Sequence, residues 1–211
     1  LYSDGTNNIT VKFWNLKIEK GNVYTPWSDT NSTTIADSSG YGHNGTSSGT
    51  LTLTSGTPRY SAAMTSTASM SISNNTSTIP IVLTTHNTYT MCAWIKTTAT
   101  NNRWIYQIGD GTGGCRGLWL TTSGSKPHFA YSGSGAFTSN VVVNDGNWHH
   151  ICFTVNGATS KCYVDGVDYG GSTSTKTDVA GANRIMLLFN GSDALSDFRL
   201  YATTLSAADV K

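Results

Sequence analysis

Residues 147–167, NWHHICFTVNGATSKCYVDGV, constrain the fold more than any other stretch of the chain. Ile151, Phe153 and Val155 alternate with His150, Cys152 and Thr154, which places the apolar groups on one face of an extended strand at period two. Asn156, Gly157, Ala158 and Thr159 make a polar turn whose glycine can take positive φ. Cys162, Tyr163 and Val164 then resume a β-prone run that stops at Asp165-Gly166, so the stretch reads as a half-buried hairpin closed by a second tight turn. Asp145-Gly146-Asn147 is another turn signal ahead of it, and Trp148 enters the strand as the largest side chain nearby.

Trp148-His149-His150, the alternating strand and Tyr163-Val164-Asp165-Gly166 together resemble the laminin G-like, concanavalin A-like jelly-roll family. Composition, for its part, favours an all-β domain. Only 12% of the 211 residues are charged and the formal net charge is +1, so the chain lacks the electrostatic footprint of a nucleic-acid or anionic-membrane binder. Thr, Ser, Gly and Asn dominate the remainder, which favours strands with polar outer faces and disfavours long helices. No stretch approaches the roughly 20 apolar residues of a membrane span, and no membrane insertion is expected. The opening residues lack the basic and apolar regions of a signal peptide and read as mid-domain.

The four cysteines match neither a zinc motif nor a CxxC pair. Cys92, Cys152 and Cys162 lie inside expected strands, where a free cysteine behaves as a small apolar residue, and all four are expected as free thiols. Cys152 with Cys162, across the hairpin, is the first disulfide candidate.

Taken in order, residues 8–16 read as a strand, with Ile9, Val11 and Phe13 alternating against Thr10, Lys12 and Trp14. The wording NLKIEKGNVYTPWS resembles the closing strand and exit segment of β-sandwich modules in tail proteins of phages and prophages of Gram-positive bacteria. Residues 1–28 are therefore expected to close a preceding module, the alternative being an edge strand of the main domain, and residues 29–211 to form the laminin G-like domain. DSSGYGHNGT and TPRYS resemble the opening of such domains in phage proteins, and LSDFRLYATTLSAADVK resembles their closing signature, a strand leading into a short helix. Thr204 or Ser206 is placed to cap that helix.

Between these ends, short strands are expected at 51–54, 69–73, 103–108, 117–121, 128–131, 140–143, 184–189 and 195–201, with 169–182 as loop. Residues 88–96, TYTMCAWIK, read as a central strand buried on both faces, one carrying Tyr89, Met91, Ala93 and Ile95 and the other Thr90, Cys92 and Trp94. The expected fold is all-β, a two-sheet antiparallel jelly-roll sandwich of the concanavalin A-like, laminin G-like type.

Glycosidases usually set two carboxylates astride the scissile bond. This chain has one glutamate, Glu19, outside the expected main domain, and the glutamate pair of jelly-roll β-glucanases is missing. No serine sits in a nucleophile elbow, and His149 and His150 fall on opposite faces of a strand, so no catalytic residue is assigned. The Gly-rich loop at 109–115 is not followed by a helix and is no dinucleotide fingerprint. Ca2+ is the one cofactor left open, since hard cations want clustered oxygens; Asp110, Asn74, Asn75, Asn190 and Asp193 offer loop oxygens, Asp110 heading the set.

Sugar recognition needs aromatic faces and neutral hydrogen-bonding groups more than charge. Of Trp104, Tyr106, Trp119, His128, Tyr131 and Phe137, the expected patch is Trp104, Trp119 and Tyr131, beside the Gly-rich loop. The resemblance implies a non-enzymatic carbohydrate-binding module of a phage or prophage tail protein. Its expected partners are host cell-surface glycan and other tail-protein subunits, in a homo-oligomer exposed on the virion. A structural decoration domain without a ligand is the alternative, and a polysaccharide hydrolase the third reading.

Overall fold

Period-two alternation and frequent turn formers become two antiparallel sheets in the computed structural model, which describes residues 10–13, 34–35, 45–48, 51–55, 60–64, 69–73, 88–100, 103–108, 116–120, 126–131, 137–173, 184–188, 194–201 and 203–210. The strands in chain order are β1 (Thr10–Phe13), β2 (Thr34–Ile35), β3 (Gly45–Ser48), β4 (Leu51–Ser55), β5 (Tyr60–Met64), β6 (Ser69–Ser73), β7 (Thr88–Lys96) and β8 (Arg103–Ile108). They continue as β9 (Arg116–Leu120), β10 (Pro127–Tyr131), β11 (Phe137–Thr138), β12 (Trp148–Asn156), β13 (Thr159–Val164), β14 (Val167–Ser172), β15 (Arg184–Leu188) and β16 (Ala194–Tyr201). One sheet runs β14-β13-β12-β7-β16-β5-β4, with β1 also on β16, and the other β11-β10-β9-β8-β15-β6-β3-β2. The fold is the antiparallel jelly-roll sandwich expected.

The organising hairpin forms as the alternation requires. Its two-residue loop pairs Asn156 with Thr159, Gly157 taking φ 59° at the first central position, where only glycine is unstrained. Asp165 and Gly166, at φ 52° and 77°, turn β13 into β14. Asp165 also bonds the strand it leaves: its carboxylate accepts from the His150 amide at 2.8 Å, and its own amide donates to the His150 carbonyl at 2.8 Å.

The core lies between the sheets. Tyr89, Met91, Ala93 and Ile95 are buried on β7, Ile151, Phe153 and Val155 on β12, and Phe129 of the facing sheet stacks on Phe153 at 4.8 Å between ring centroids. β7 is buried on its other face too, as expected, because residues 203–210 lie over it. Val210 and Leu205 pack on Cys92, Cys152 and Tyr163. The Thr90 hydroxyl donates to the Thr203 carbonyl and accepts from the Leu205 amide, both at 2.8 Å, so a buried polar side chain is satisfied on both sides.

Several local expectations are corrected. Cys92 and Cys152 form a disulfide, where free thiols were expected. They are direct register partners on β7 and β12, whereas Cys162 pairs with Phe153, one step from Cys152 and therefore on the opposite face. Cys162 remains a buried free thiol, and burial pushes its pKa up to about 12. Cys115 lies outside the described residues.

Residues 140–143 form no strand. They belong to the crossover from one sheet to the other, tied by the Asn144 side chain on the Ala99 carbonyl and the Gly146 amide on the Thr97 carbonyl, while Phe137–Thr138 pairs with β10 instead. Within the loop expected at 169–182, Val167–Ser172 is the edge strand β14. A Cβ at Gly171 would lie 1.6 Å from the Ser160 carbonyl oxygen, so only glycine fits there.

The expected closing helix is a single turn at 207–210, with the Val210 amide bonded to the Ser206 carbonyl at 3.2 Å and the Ser206 hydroxyl to the Asp209 carboxylate. β1, expected to close a preceding module, pairs with β16, with Thr10 opposite Tyr201 and Phe13 opposite Phe198.

Candidate functional site

Trp104 and Trp119 are direct register partners on β8 and β9, and Trp119 is the partner of His128 on β10. His128 in turn partners Thr138 on β11. The four residues form one row across four adjacent strands. Phe129 faces the core, so its neighbour His128 has outward parity.

A β-bulge is what places Trp104 there. The register steps by one between Trp104 and Tyr106, where buried Ile105 is the extra residue. In an unbroken strand Trp104 would share the parity of Tyr106, which partners Leu118. The bulge moves it opposite Trp119.

Tyr131 does not join this row. It partners Arg116, three residues along β10 from His128. The His128 Nδ1 lies 2.6 Å from the Thr138 Oγ1, and burial lowers the His128 pKa below the ordinary 6.5, so the ring is neutral at neutral pH. Asp110, Asn74, Asn75, Asn190, Asp193 and the Gly-rich loop at 109–115 all lie outside the described residues. Among the described residues no group of three or more His, Cys, Asp or Glu side chains is placed to hold a metal ion.

His149 and His150 take separate partners, as their opposite parity demands. The His150 ring packs on Trp94 at 5.1 Å, and its pKa is lowered, first by burial and then by the Arg199 charge. His149 sits between two carboxylates, with Nδ1 2.8 Å from Asp165 Oδ2 and Nε2 3.1 Å from Asp145 Oδ1. Burial alone would lower its pKa, but the bonds to Asp165 and Asp145 and their charges outweigh that and raise it above 6.5. Asp145 is lowered to about 2, chiefly by the Asn147 side chain and amide and then by His149. The clamp pins the start of β12 to both turns that flank it.

Linkage fixes the sign of its pH dependence. A raised histidine stabilises fully below its unfolded pKa of 6.5 and loses that contribution as pH rises through the higher folded value. A lowered carboxylate stabilises above 3.8 and loses it as pH falls toward about 2. His149→Gln is therefore expected to destabilise most below pH 6.5 and progressively less as pH rises through the raised folded value. Urea midpoints across that range check it, and a pH-independent difference would contradict it.

The sheet order and the face-to-face packing define the chain as an antiparallel β-sandwich domain. It belongs to the concanavalin A-like lectin/glucanases superfamily, whose laminin G-type family profile matches residues 67–211. No curated protein matches the chain by sequence.

Among solved structures, the chain is similar to domain 4 of AbnA, a GH43 extracellular arabinanase from Geobacillus stearothermophilus, in complex with arabinotriose. That likeness has a TM-score of 0.68 at 18% identity and covers 83% of this chain and 90% of the other. The binding domain of Paraclostridial Mosquitocidal Protein 1 is similar at TM-score 0.67 and 16% identity, covering 85% of this chain and 49% of that one. A botulinum neurotoxin type C structure, described by cell entry dependent upon two ganglioside molecules, is similar at TM-score 0.65 and 14% identity, covering 86% and 48%. The chain thus spans about half the length of these two toxin chains. At such identities the likeness is one of fold.

Proposed function

We propose that the chain is a non-enzymatic carbohydrate-binding module of a phage or prophage tail protein, adhering to glycan on the host surface. The observation that carries this reading is the register of Trp104 with Trp119, direct partners on the neighbouring strands β8 and β9. Paired aromatic faces suit the apolar faces of sugar rings, and neutral neighbours suit their hydroxyls. Membership of a lectin superfamily and a fold neighbour holding arabinotriose support it.

The described aspartates favour binding over hydrolysis, because each has a structural partner. Asp145 and Asp165 hold His149, Asp168 holds Lys161, Asp197 holds Arg199, and Asp209 bonds Ser206. The phage setting rests on the wording at both ends of the chain, DSSGYGHNGT and LSDFRLYATTLSAADVK. Weak single sites on a homo-oligomeric tail on the virion would gain avidity by multivalency.

A glycan array probed with the oligomerised 211-residue chain, with calcium and with chelator, tests the proposal. Trp119→Ala or Trp104→Ala is expected to cut the signal by about tenfold or more, with circular dichroism unchanged. Loss with chelator alone would add Ca2+ to the site. Silence across host-derived glycans in both buffers would replace the reading with that of a ligand-free structural domain of the tail.

A further inference from the structure

We infer that residues 203–210 are a redox-sensitive strap, which lifts from the outer face of β7 and β12 to admit a dithiol to the Cys92–Cys152 disulfide and which no longer seats once that bond is reduced. Strand parity places the disulfide. Met91 and Ala93 of β7, like Ile151 and Phe153 of β12, face the core, so Cys92 and Cys152 lie on the other face of the sheet. There Val210 and Leu205 of the strap cover them, with Tyr163 and Tyr201 alongside, and leave Cys92 3% and Cys152 0% exposed. Thiol–disulfide exchange needs a thiolate to reach a sulfur, so the strap decides when this bond reacts.

The strap is held by separable contacts rather than by a strand ladder. The Thr90 hydroxyl donates to the Thr203 carbonyl and accepts from the Leu205 amide, the Thr204 hydroxyl donates to the Val155 carbonyl, and the His150 ring bonds the Val210 backbone. Every one of these partners on the sheet belongs to β7 or β12. Residues 206–209 are exposed, and the bonds from Ser206 to Asp209 and to the Val210 amide stay within the strap. Lifting the strap therefore breaks these links and bares Leu205 and Val210, while the pairing of β7 with β12 and β16 is not involved. A segment with so little buried surface opens at lower cost than the core strands beneath it.

Reduction acts on the seat itself. A thiolate of the dithiol attacks one sulfur, forming a mixed disulfide and releasing the other cysteine as a thiolate that takes up a proton. The second thiol then displaces the first cysteine, so two electrons and two protons pass to the protein and the reductant leaves as its own disulfide. Two thiols need more room than one bonded sulfur pair, and a closely packed face yields that room only by displacing its cover. The contacts that give way are those of Leu205 and Val210, because β7 and β12 are fixed by their ladder. The coupling is reciprocal: a strap that favours the oxidised face is itself favoured by oxidation. Once lifted, it leaves Thr90, Tyr163 and the two cysteines open on that face.

Reduction of the whole chain by excess dithiothreitol without denaturant, timed by mass spectrometry, tests this. Val210→Ala is expected to speed reduction by about tenfold and Thr204→Val by about 3–10-fold, as strap contacts are lost. An unchanged rate in Val210→Ala would overturn the inference. Phe129→Ala weakens the core but leaves the strap in place, and should shift the rate by less than about threefold. A rise of about a hundredfold or more in that variant, the effect of its cost to global stability, would mean that reduction waits for unfolding of the whole domain, and the strap would have no role. The wild type gives the same answer without a variant: its rate should be nearly flat in low urea, and a urea dependence as steep as that of global unfolding would sink the inference. Chymotrypsin should cut the reduced chain after Leu205 at least about tenfold faster than the oxidised chain, and before any cut within β12 or β13. Equal cutting of the two forms would show that reduction does not release the strap.

Discussion

Reducing the Cys92–Cys152 disulfide, or replacing both cysteines by alanine, is expected to lower the unfolding free energy by about 4 kcal/mol, which for a domain of this size is roughly 10 °C in Tm. The bond joins positions 60 residues apart, so in the chain-entropy account it removes a long loop from the freedom of the unfolded chain. Its place amplifies the effect. β7 and β12 are neighbouring inner strands of their sheet, and the disulfide lies under Val210 and Leu205, so its loss also loosens the cover that residues 203–210 provide. Thermal melts of oxidised and reduced protein check it, the reduced wild type separating loss of the bond from any cavity left by alanine. Peptide mapping should find Cys92 joined to Cys152. Cys162, buried and with its thiol at about 12, should resist thiol reagents until the protein unfolds. A melting point that does not move on reduction would contradict the assignment.

Phe153→Ala is expected to cost about 3–5 kcal/mol, the range for emptying a buried aromatic site in a core that relaxes only in part. Phe153 is 1% exposed, sits on the central strand β12, and stacks on Phe129 of the facing sheet at 4.8 Å, so it spans the sandwich. The denaturant midpoint should fall with little change in slope if the fold is kept. Phe129→Ala should cost a similar amount, and the double variant less than the sum, with a coupling of about 0.5–1.5 kcal/mol from the lost ring pair. Lys161→Ala is the contrast. Its bond to Asp168 at 2.7 Å is exposed on both sides, and such pairs contribute at most about 1 kcal/mol.

Much of the fold was legible because strand periodicity and tight turns are local. The faces of β7 and β12, the Asn156–Thr159 turn and the Asp165-Gly166 turn follow from residues a few positions apart, and the structure keeps them. Even the pairing of Cys162 was readable: a two-residue loop at 157–158 places it opposite Phe153 and not Cys152. β14 was missed because Gly170 and Gly171 read as loop, although the tight approach of Ser160 is what requires glycine there. The 140–143 run was taken for a strand because Val141, Val142 and Val143 have strand propensity, and propensity does not know that this segment must cross between sheets.

The candidate site divides the same way. Residue types alone pointed to Trp104, Trp119 and Tyr131 as candidates, and the spacing along β10 that sets Tyr131 opposite Arg116 is a local property of that strand. What no local pattern contains is which strands become neighbours and in what register. The bulge at Ile105 turns Trp104 from the parity of Tyr106 to that of Trp119, and long-range packing of β8 against β9 and β15 selects it. The disulfide depends in the same way on β7 meeting β12 across 60 residues. The sequence by itself determined the all-β class, the central hairpin and the chemistry available to the surface. Only the tertiary structure decided which residues stand in one row, because register is set by contacts between strands far apart in the chain.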